Sequence, residues 1–312
     1  MNRPLNELLL TVQVLASQQE CGLQVFGLRW PSESQLGYHT LDEAMAAGTL
    51  EVTEISEGGS VPTLSVTNKS DRMAFLMAGE QLVGAKQNRV LNVSMMVPPS
   101  TSLQIPVSCV EGGRWHRRSA KFASGLSMSH GKLRKMMSRQ THLGLQSARS
   151  PTSDQGAVWD EVSRKLSAMG SASASQAFEQ VYQDCEIRLN DLSSRLQPPE
   201  GCQGVLFAVA GRIEGADLFD QPATLAKLWR KLVRAYALDA MEARATEAPP
   251  VTTDDVSRWL QSAAGAKTES YPSPGIGSDV RLEASALSGS ALVVDEQAVH
   301  LELFARSPTP EA

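Results

Sequence analysis

The stretch from residue 73 to residue 110, MAFLMAGEQLVGAKQNRVLNVSMMVPPSTSLQIPVSCV, decides the fold class. It contains three short runs rich in Val, Leu, Ile and Met, at 73–77, 90–97 and 103–110, with Gly79 and Pro98-Pro99 placed as turns between them. Three similar runs precede it, at 23–30, 49–56 and 63–67. Short strands at regular spacing predict a β-sandwich or a barrel.

The middle of the chain has helical periodicity, and the end returns to strands. Apolar residues recur at helical spacing over 158–169, 178–196 and 220–236, and strand-like runs fill 267–304. We therefore expect the α+β class, with a β-sandwich-like body built from N- and C-terminal strands and a central helical region. The prediction is one domain over residues 1–306, followed by a disordered tail at 307–312.

The amino-acid composition excludes several classes of protein. The 312 residues are 42% hydrophobic and 20% charged, which is typical of a globular protein. The net charge of −5 argues against a general nucleic-acid binder, and no run of 18 apolar residues predicts a membrane helix. The four cysteines form no CxxC pair, so we expect reduced thiols, a cytoplasmic location, no metal site and no cofactor.

Residues 113–149 form a basic segment without a single Asp or Glu. Its cations are Arg114, Arg117, Arg118, Lys121, Lys132, Arg134, Lys135, Arg139 and Arg149. Such a segment attracts phosphate, nucleic acid or an acidic protein surface. It is equally typical of a solvated loop that balances an acidic body. Both interpretations stay open, and in either case we expect the segment to be mobile.

A second polar motif is GEQLVGAKQNR, residues 79–89. It approaches a phosphate-binding P-loop, but Ala85 separates Gly84 from Lys86, and Gln87 replaces the required Ser or Thr. A strand also follows where that loop needs a helix, so we reject an NTPase. The remaining amides and cations suit a polar anionic ligand. A loop that satisfies its own backbone is the alternative.

Two further features have ordinary structural explanations beside functional ones. Leu103, Ile105, Val107 and Cys109 alternate along one strand, which predicts that Cys109 is a buried structural thiol and not a nucleophile. An acid pair at Asp217 and Asp220 could bind a metal or transfer protons. We favour instead Asp217 as a turn former and Asp220 as a helix cap.

Three stretches together resemble a known family. They are AGEQLVGAKQNRVLN at 78–92, IPVSCVEGGRW at 105–115 and GADLFD at 215–220. They resemble proteins associated with ADP-ribosylglycohydrolases and rhodanese-phosphatases, a domain family of unknown function. The resemblance implies a role in NAD or ADP-ribose metabolism, in bacterial stress or conflict systems. It carries no established catalytic residue, so whether the protein is an enzyme stays open.

The motifs yield a candidate site and two functional hypotheses. The first is recognition, with processing left open, of an ADP-ribose-like, NAD-like or other phosphorylated nucleotide ligand. Its residues would be Lys86, Arg89 and Arg114 on phosphates, Gln87 and Asn88 on hydroxyls or the base, Trp115 for stacking, and Glu80 or Glu111 for any proton transfer. The second is a non-catalytic interaction protein whose basic segment docks an acidic partner or nucleic acid. Both motifs follow short strands joined through Pro98-Pro99, so we expect them to be adjacent in space.

Overall fold

The computed structural model describes residues 5–30, 34–243 and 248–306. Within these ranges the chain forms seventeen strands in three sheets together with eight α-helices, which confirms the α+β class. No helix in the described ranges is long and apolar enough to cross a membrane. The predicted tail at 307–312 lies outside the described residues.

The elements follow one another along the chain as strands, then helices, then strands. The helices are α1 (Leu5–Leu9), α2 (Leu41–Ala46), α3 (Gly131–Ala148), α4 (Gln155–Ala168), α5 (Glu179–Asp184), α6 (Glu186–Arg195), α7 (Pro222–Ala243) and α8 (Thr253–Gln261). The strands are β1 (Gln13–Glu20), β2 (Leu23–Arg29), β3 (Tyr38–Thr40), β4 (Leu50–Glu54), β5 (Thr63–Asn68), β6 (Met73–Leu76), β7 (Glu80–Gly84), β8 (Arg89–Leu91), β9 (Met95–Val97), β10 (Thr101–Cys109), β11 (Phe122–Met128), β12 (Gly204–Val209), β13 (Arg212–Phe219), β14 (Lys267–Pro272), β15 (Ser278–Glu283), β16 (Leu287–Val294) and β17 (Gln297–Ala305).

The chain divides into two compact units. The first comprises Met1–Gln35, Leu192–Tyr271 and Ser278–Ala312, and its sheet has the strand order β1-β2-β12-β13-β17-β16-β15-β14. N- and C-terminal strands thus share one sheet. One face of this sheet packs in a core with Val256, Trp259 and Leu260 of α8. On α7, the ring of Tyr236 stacks on Phe207 with 4.2 Å between centroids.

The second unit comprises Leu36–Asp191 and Pro272–Gly277 and holds the predicted site. Its six-stranded sheet has the order β11-β7-β8-β10-β5-β4, and a smaller sheet has the order β3-β6-β9. The prediction of one strand over 90–97 is wrong, because β8 and β9 belong to different sheets. The apolar residues continue through the break, since Leu91, Val93 and Met95 are all buried. The periodicity of apolar residues therefore cannot show the break between β8 and β9.

Two segments are more regular than the sequence indicated. The polar motif at 79–89 is not all loop, because Glu80–Gly84 forms β7 between β8 and β11. The basic segment contains β11 and the 18-residue helix α3, and Arg114 and Arg134 are buried. The segment's mobility stays a prediction.

Candidate functional site

The two predicted motifs meet at one end of the six-stranded sheet. The β8–β10 register places Arg89 directly opposite Cys109, and the N–H of Val110 donates to the carbonyl of Asn88 at 3.1 Å. Opposite residues of an antiparallel pair project from the same face of the sheet. The predicted adjacency of the motifs is therefore confirmed.

A tight turn brings the first motif into position. Gly84 has a φ of +123°, and a Cβ there would lie 2.6 Å from the hydroxyl oxygen of Ser119. Ala85 follows with a φ of 39° and is fully buried. The turn aims the Ala85 carbonyl at Arg114, whose Nη1 donates to it at 2.7 Å.

Glu111 and Arg114 form a buried ion pair. Nε of Arg114 donates to Oε1 of Glu111 at 2.8 Å, and Nη2 donates to Oε2 at 2.6 Å. Glu111 also accepts from the Ser175 hydroxyl at 2.7 Å and from the Asn88 N–H at 3.0 Å. Burial by itself raises the pKa of Glu111, but these hydrogen bonds outweigh it and hold the pKa below its ordinary value. Glu111 is thus a fixed carboxylate anion at neutral pH.

The remaining polar groups of this pair's neighbourhood are also used within the protein. Arg114 donates further to the carbonyls of His116 and Gly84. Oδ1 of Asn88 accepts from the Gly84 N–H at 3.1 Å. Nε2 of Gln87 donates to the Glu111 carbonyl at 2.9 Å. Arg114, Gln87 and Asn88 therefore brace the two loops, and few of their donors are left for a ligand.

Arg89 differs from Arg114. Its side chain is fully buried, yet only Nη1 has a hydrogen-bond partner among the described residues, the Oε1 of Gln87 at 3.0 Å. Nε and Nη2 have none. These two nitrogens lie on one edge of the guanidinium, the edge that grips a carboxylate or a phosphate with two parallel bonds. Burial lowers the pKa of Arg89, the expected effect of taking a cation out of water.

Two side chains connect Arg89 with the surface. The ring centroid of Trp115 lies 5.7 Å from Cζ of Arg89 and 5.3 Å from Nζ of Lys86, so both cations contact the indole. Trp115 is 47% exposed. Nζ of Lys86 also donates to the carbonyls of Glu57 and Gly58. The surface here therefore offers a half-exposed indole with two cations over its ring.

Glu80 occupies another part of the sheet. Its Oε2 accepts from the backbone N–H of Met77 at 2.9 Å. Gly79, next to it, donates to the carbonyl of Leu91, and Leu91 pairs with Val107. Glu80 therefore lies beside Val107 in the sheet, four residues before Glu111. At the usual strand rise, the backbones of Glu80 and Glu111 are about 13 Å apart. The two predicted proton-transfer candidates do not form a pair.

Cys109 lies at the centre of the site and is fully buried, as predicted. Its thiol is 3.1 Å from Oε1 of Gln87 and 3.3 Å from the Glu111 carbonyl. Gln155 of α4 holds its backbone on both sides, accepting from its N–H and donating to its carbonyl, each at 2.8 Å. Burial raises the pKa of this thiol, although the Glu111 backbone and the charge of Arg89 oppose the rise.

We expect Cys109→Ser to lower the free energy of unfolding by about 1–3 kcal/mol, because the shorter hydroxyl is an imperfect partner for these acceptors. Anion binding should persist. Native Cys109 should alkylate slowly at pH 7, since burial keeps it protonated. Exposed Cys21 serves as the internal control in a peptide-resolved alkylation experiment. Alkylation of Cys109 as fast as that of Cys21 would contradict a structural role.

Sequence reasoning missed two neighbours of the site. Trp159 of α4 is 36% exposed and lowers the pKa of the Cys109 thiol, and its Nε1 lies 3.6 Å from where a Cβ on Gly112 would sit. Ser175 donates to Glu111. Trp159 fitted the apolar stripe of its helix, and Ser175 lies in an unpatterned stretch. No sequence signal links either residue to position 111.

The first unit contains a separate polar cluster of its own. Asp217 lies within β13, so the prediction that it forms a turn is wrong. It is buried, and its Oδ1 lies 3.2 Å from Nε2 of His300 on β17. Asp220 follows the end of β13. In the described part of the chain, no group of three or more His, Cys, Asp or Glu side chains could hold a metal ion.

Comparison with known proteins gives one match. A family model described as ARPP-1, "ARG and Rhodanese-Phosphatase-superfamily-associated Protein domain", matches residues 11–304. The matched range includes both loops of the site. No curated protein and no solved structure matches the chain.

Proposed function

The chain belongs to the family of ARG and Rhodanese-Phosphatase-superfamily-associated proteins, and for this member we propose recognition of a phosphorylated nucleotide-type ligand, with ADP-ribose as the reference compound. The observation that carries the proposal is the free edge of Arg89. A buried guanidinium with two adjacent unpaired N–H groups is costly to keep in the folded protein. Both nitrogens are closed to solvent, so a phosphate reaches that edge only when a covering side chain moves aside, and it then offsets this cost with two charge-assisted hydrogen bonds.

The groups around Arg89 favour a nucleotide over a bare anion. The half-exposed indole of Trp115 offers ring surface on which a base can stack, and Lys86, whose Nζ lies over that ring, supplies a second cation. A diphosphate with ribose and base would use all three side chains. The buried Glu111–Arg114 pair would keep the loops that carry them in place.

The proposal assigns binding and no reaction. Glu111 is held as an anion by four hydrogen bonds, and Cys109 is held as a protonated thiol. Neither group is poised to exchange a proton or attack a ligand at neutral pH. Arg89, Lys86 and Trp115 keep the binding roles first expected of them, whereas Arg114, Gln87 and Asn88 are used to brace the loops.

The test is a thermal-shift titration with ADP-ribose, NAD, ADP, adenosine and inorganic phosphate. Ligands that carry phosphate should raise Tm, since binding at 100 times Kd stabilises the folded state by about 2.7 kcal/mol. Arg89→Gln should abolish the shift. Arg139→Gln, an exposed arginine on α3, is the matched control and should leave it unchanged. Equal shifts for adenosine and ADP, or an unchanged response in Arg89→Gln, would contradict the proposal.

A second candidate function is docking of a larger polyanion. It is favoured by the internal use of Arg114, Gln87 and Asn88 and by the exposed run at 115–121, where no residue is buried. In this function the loop, not the Arg89 edge, would make the decisive contacts. The two candidates differ in their response to Arg89→Gln, which should affect only the first strongly.

A further inference from the structure

We infer that the ligand of this surface is a segment of single-stranded nucleic acid, of which a mononucleotide occupies only the first position. The inference rests on the proposed function and extends it along the exposed loop at residues 115–121. All seven residues of this loop are exposed. Within the described part of the chain, the side chains of Arg117 and Arg118 have no hydrogen bond or ion pair.

The loop and the Arg89 edge are held by the same turn. Ala85 accepts from the backbone N–H of Arg118 at 2.9 Å, and its own N–H donates to the Ser119 hydroxyl at 2.9 Å. Arg114 donates to the carbonyls of both Ala85 and His116. The backbone that carries Trp115, Arg117 and Arg118 is therefore held against the turn that leads to Arg89.

The charges nearby leave a net positive surface at the loop. Lys121 and Lys69 share one carboxylate, Glu51, at 2.5 and 2.6 Å. Glu54 accepts from the backbone N–H of Lys86 at 3.3 Å and is half-buried. Among the described residues, no acid forms an ion pair with Arg117 or Arg118. Arg117 and Arg118 would therefore contact the phosphates that follow the first one along a nucleic-acid strand.

The aromatic side chain selects nucleic acid over an acidic peptide. An exposed indole among cations is the combination that binds single strands, because every base has a face to stack while the phosphates follow the cations. A run of Asp or Glu would meet the arginines but would leave Trp115 unused. Duplex DNA keeps its bases stacked on one another and could not use the indole either.

The experiment is fluorescence anisotropy with a labelled ten-nucleotide oligothymidylate between 50 and 200 mM salt, on the full chain. For single strands the logarithm of affinity falls with the logarithm of salt with a slope of about 0.7 per phosphate contact. Arg117→Gln/Arg118→Gln should therefore flatten the slope by about 1.4, which reduces the salt-induced loss of affinity about sevenfold over this range. The matched control is Arg72→Gln/Arg139→Gln, which removes two exposed arginines outside the loop and should keep the wild-type slope.

The indole is tested separately. Trp115→Ala should weaken oligothymidylate binding about 5- to 150-fold, the usual effect of losing one stacking platform. The same variant should bind heparin and polyglutamate, which have no bases, as the wild type does. If those two polyanions compete as well as the oligonucleotide and Trp115→Ala changes nothing, the surface docks an acidic partner and the inference is wrong.

Failure of the inference can be told from failure of the proposed function. If ADP-ribose and ADP bind through Arg89 but the oligonucleotide binds no tighter than thymidine monophosphate, the extension along the loop is wrong and the proposed function stands. If no phosphate-bearing compound binds in an Arg89-dependent way, both fail. Tighter binding of the oligonucleotide that requires Arg89, Trp115 and the two loop arginines supports both.

Discussion

Arg114→Ala should destabilise the folded protein by about 3–5 kcal/mol, because it leaves the carboxylate of Glu111 buried without its cation. The variant also removes the donor to the carbonyls of Ala85 and His116. The free energy of unfolding, measured by urea denaturation at pH 7, reports the loss. Arg117→Ala, three residues away and exposed, is the control and should change stability by less than about 0.5 kcal/mol.

A double variant keeps this prediction testable even if Arg114→Ala does not fold. Glu111→Gln/Arg114→Met removes both charges, so it should recover much of the loss, because no unpaired charge remains buried. A loss below about 1 kcal/mol in the single variant would show that water or a neighbouring group replaces Arg114. Since the pKa of Glu111 is lowered on folding, the ion pair stabilises the protein above pH 4.5 and this contribution is lost as pH falls through the folded-state pKa.

Arg89→Met should have the opposite effect on stability. The side chain is fully buried and its Nε and Nη2 are unpaired, so a thioether of similar length removes a desolvated charge and keeps most of the packing. We expect a gain of about 1–3 kcal/mol in the absence of ligand, the usual cost of a buried polar group that lacks a hydrogen-bond partner. The same variant should lose the thermal shift caused by ADP-ribose. A residue that lowers the stability of the folded protein but is required for ligand binding is typical of a binding site.

The control for this pair of measurements is Arg139→Met on the exposed surface of α3, which should change neither property by much. If Arg89→Met is destabilised, the protein itself compensates the charge of Arg89, through the carboxylates of Glu54 and Glu111 or through Gln87 and the Trp115 ring, and the residue is structural. That result would remove the observation on which the proposed function stands.

Several features of this protein could be predicted from the sequence because they depend on neighbours along the chain. The α+β class follows from apolar periodicity, which is local. Burial of Cys109 follows from alternation within one strand, which β10 confirms. The adjacency of the two loops was predicted from strands joined through Pro98-Pro99, and β8 and β10 do pair, although β9 of another sheet lies between them along the chain. In the first two cases the decisive pattern lies within single elements, and in the third it lies between strands that are close along the chain.

The tertiary structure alone decided which polar side chains are satisfied. Arg89 and Arg114 are equivalent in sequence, both cations in a polar motif. Register places Arg89 opposite Cys109, where too few acceptors reach it, and the turn at Ala85 surrounds Arg114 with a carboxylate and several carbonyls. Ser175 and Trp159 complete the site from 64 and 50 residues beyond Glu111 and Cys109 along the chain. Hydrogen bonds between distant segments depend on the register of the strands, because a slip of one residue moves every side chain of a strand to the opposite face of the sheet. The local sequence pattern does not determine that register.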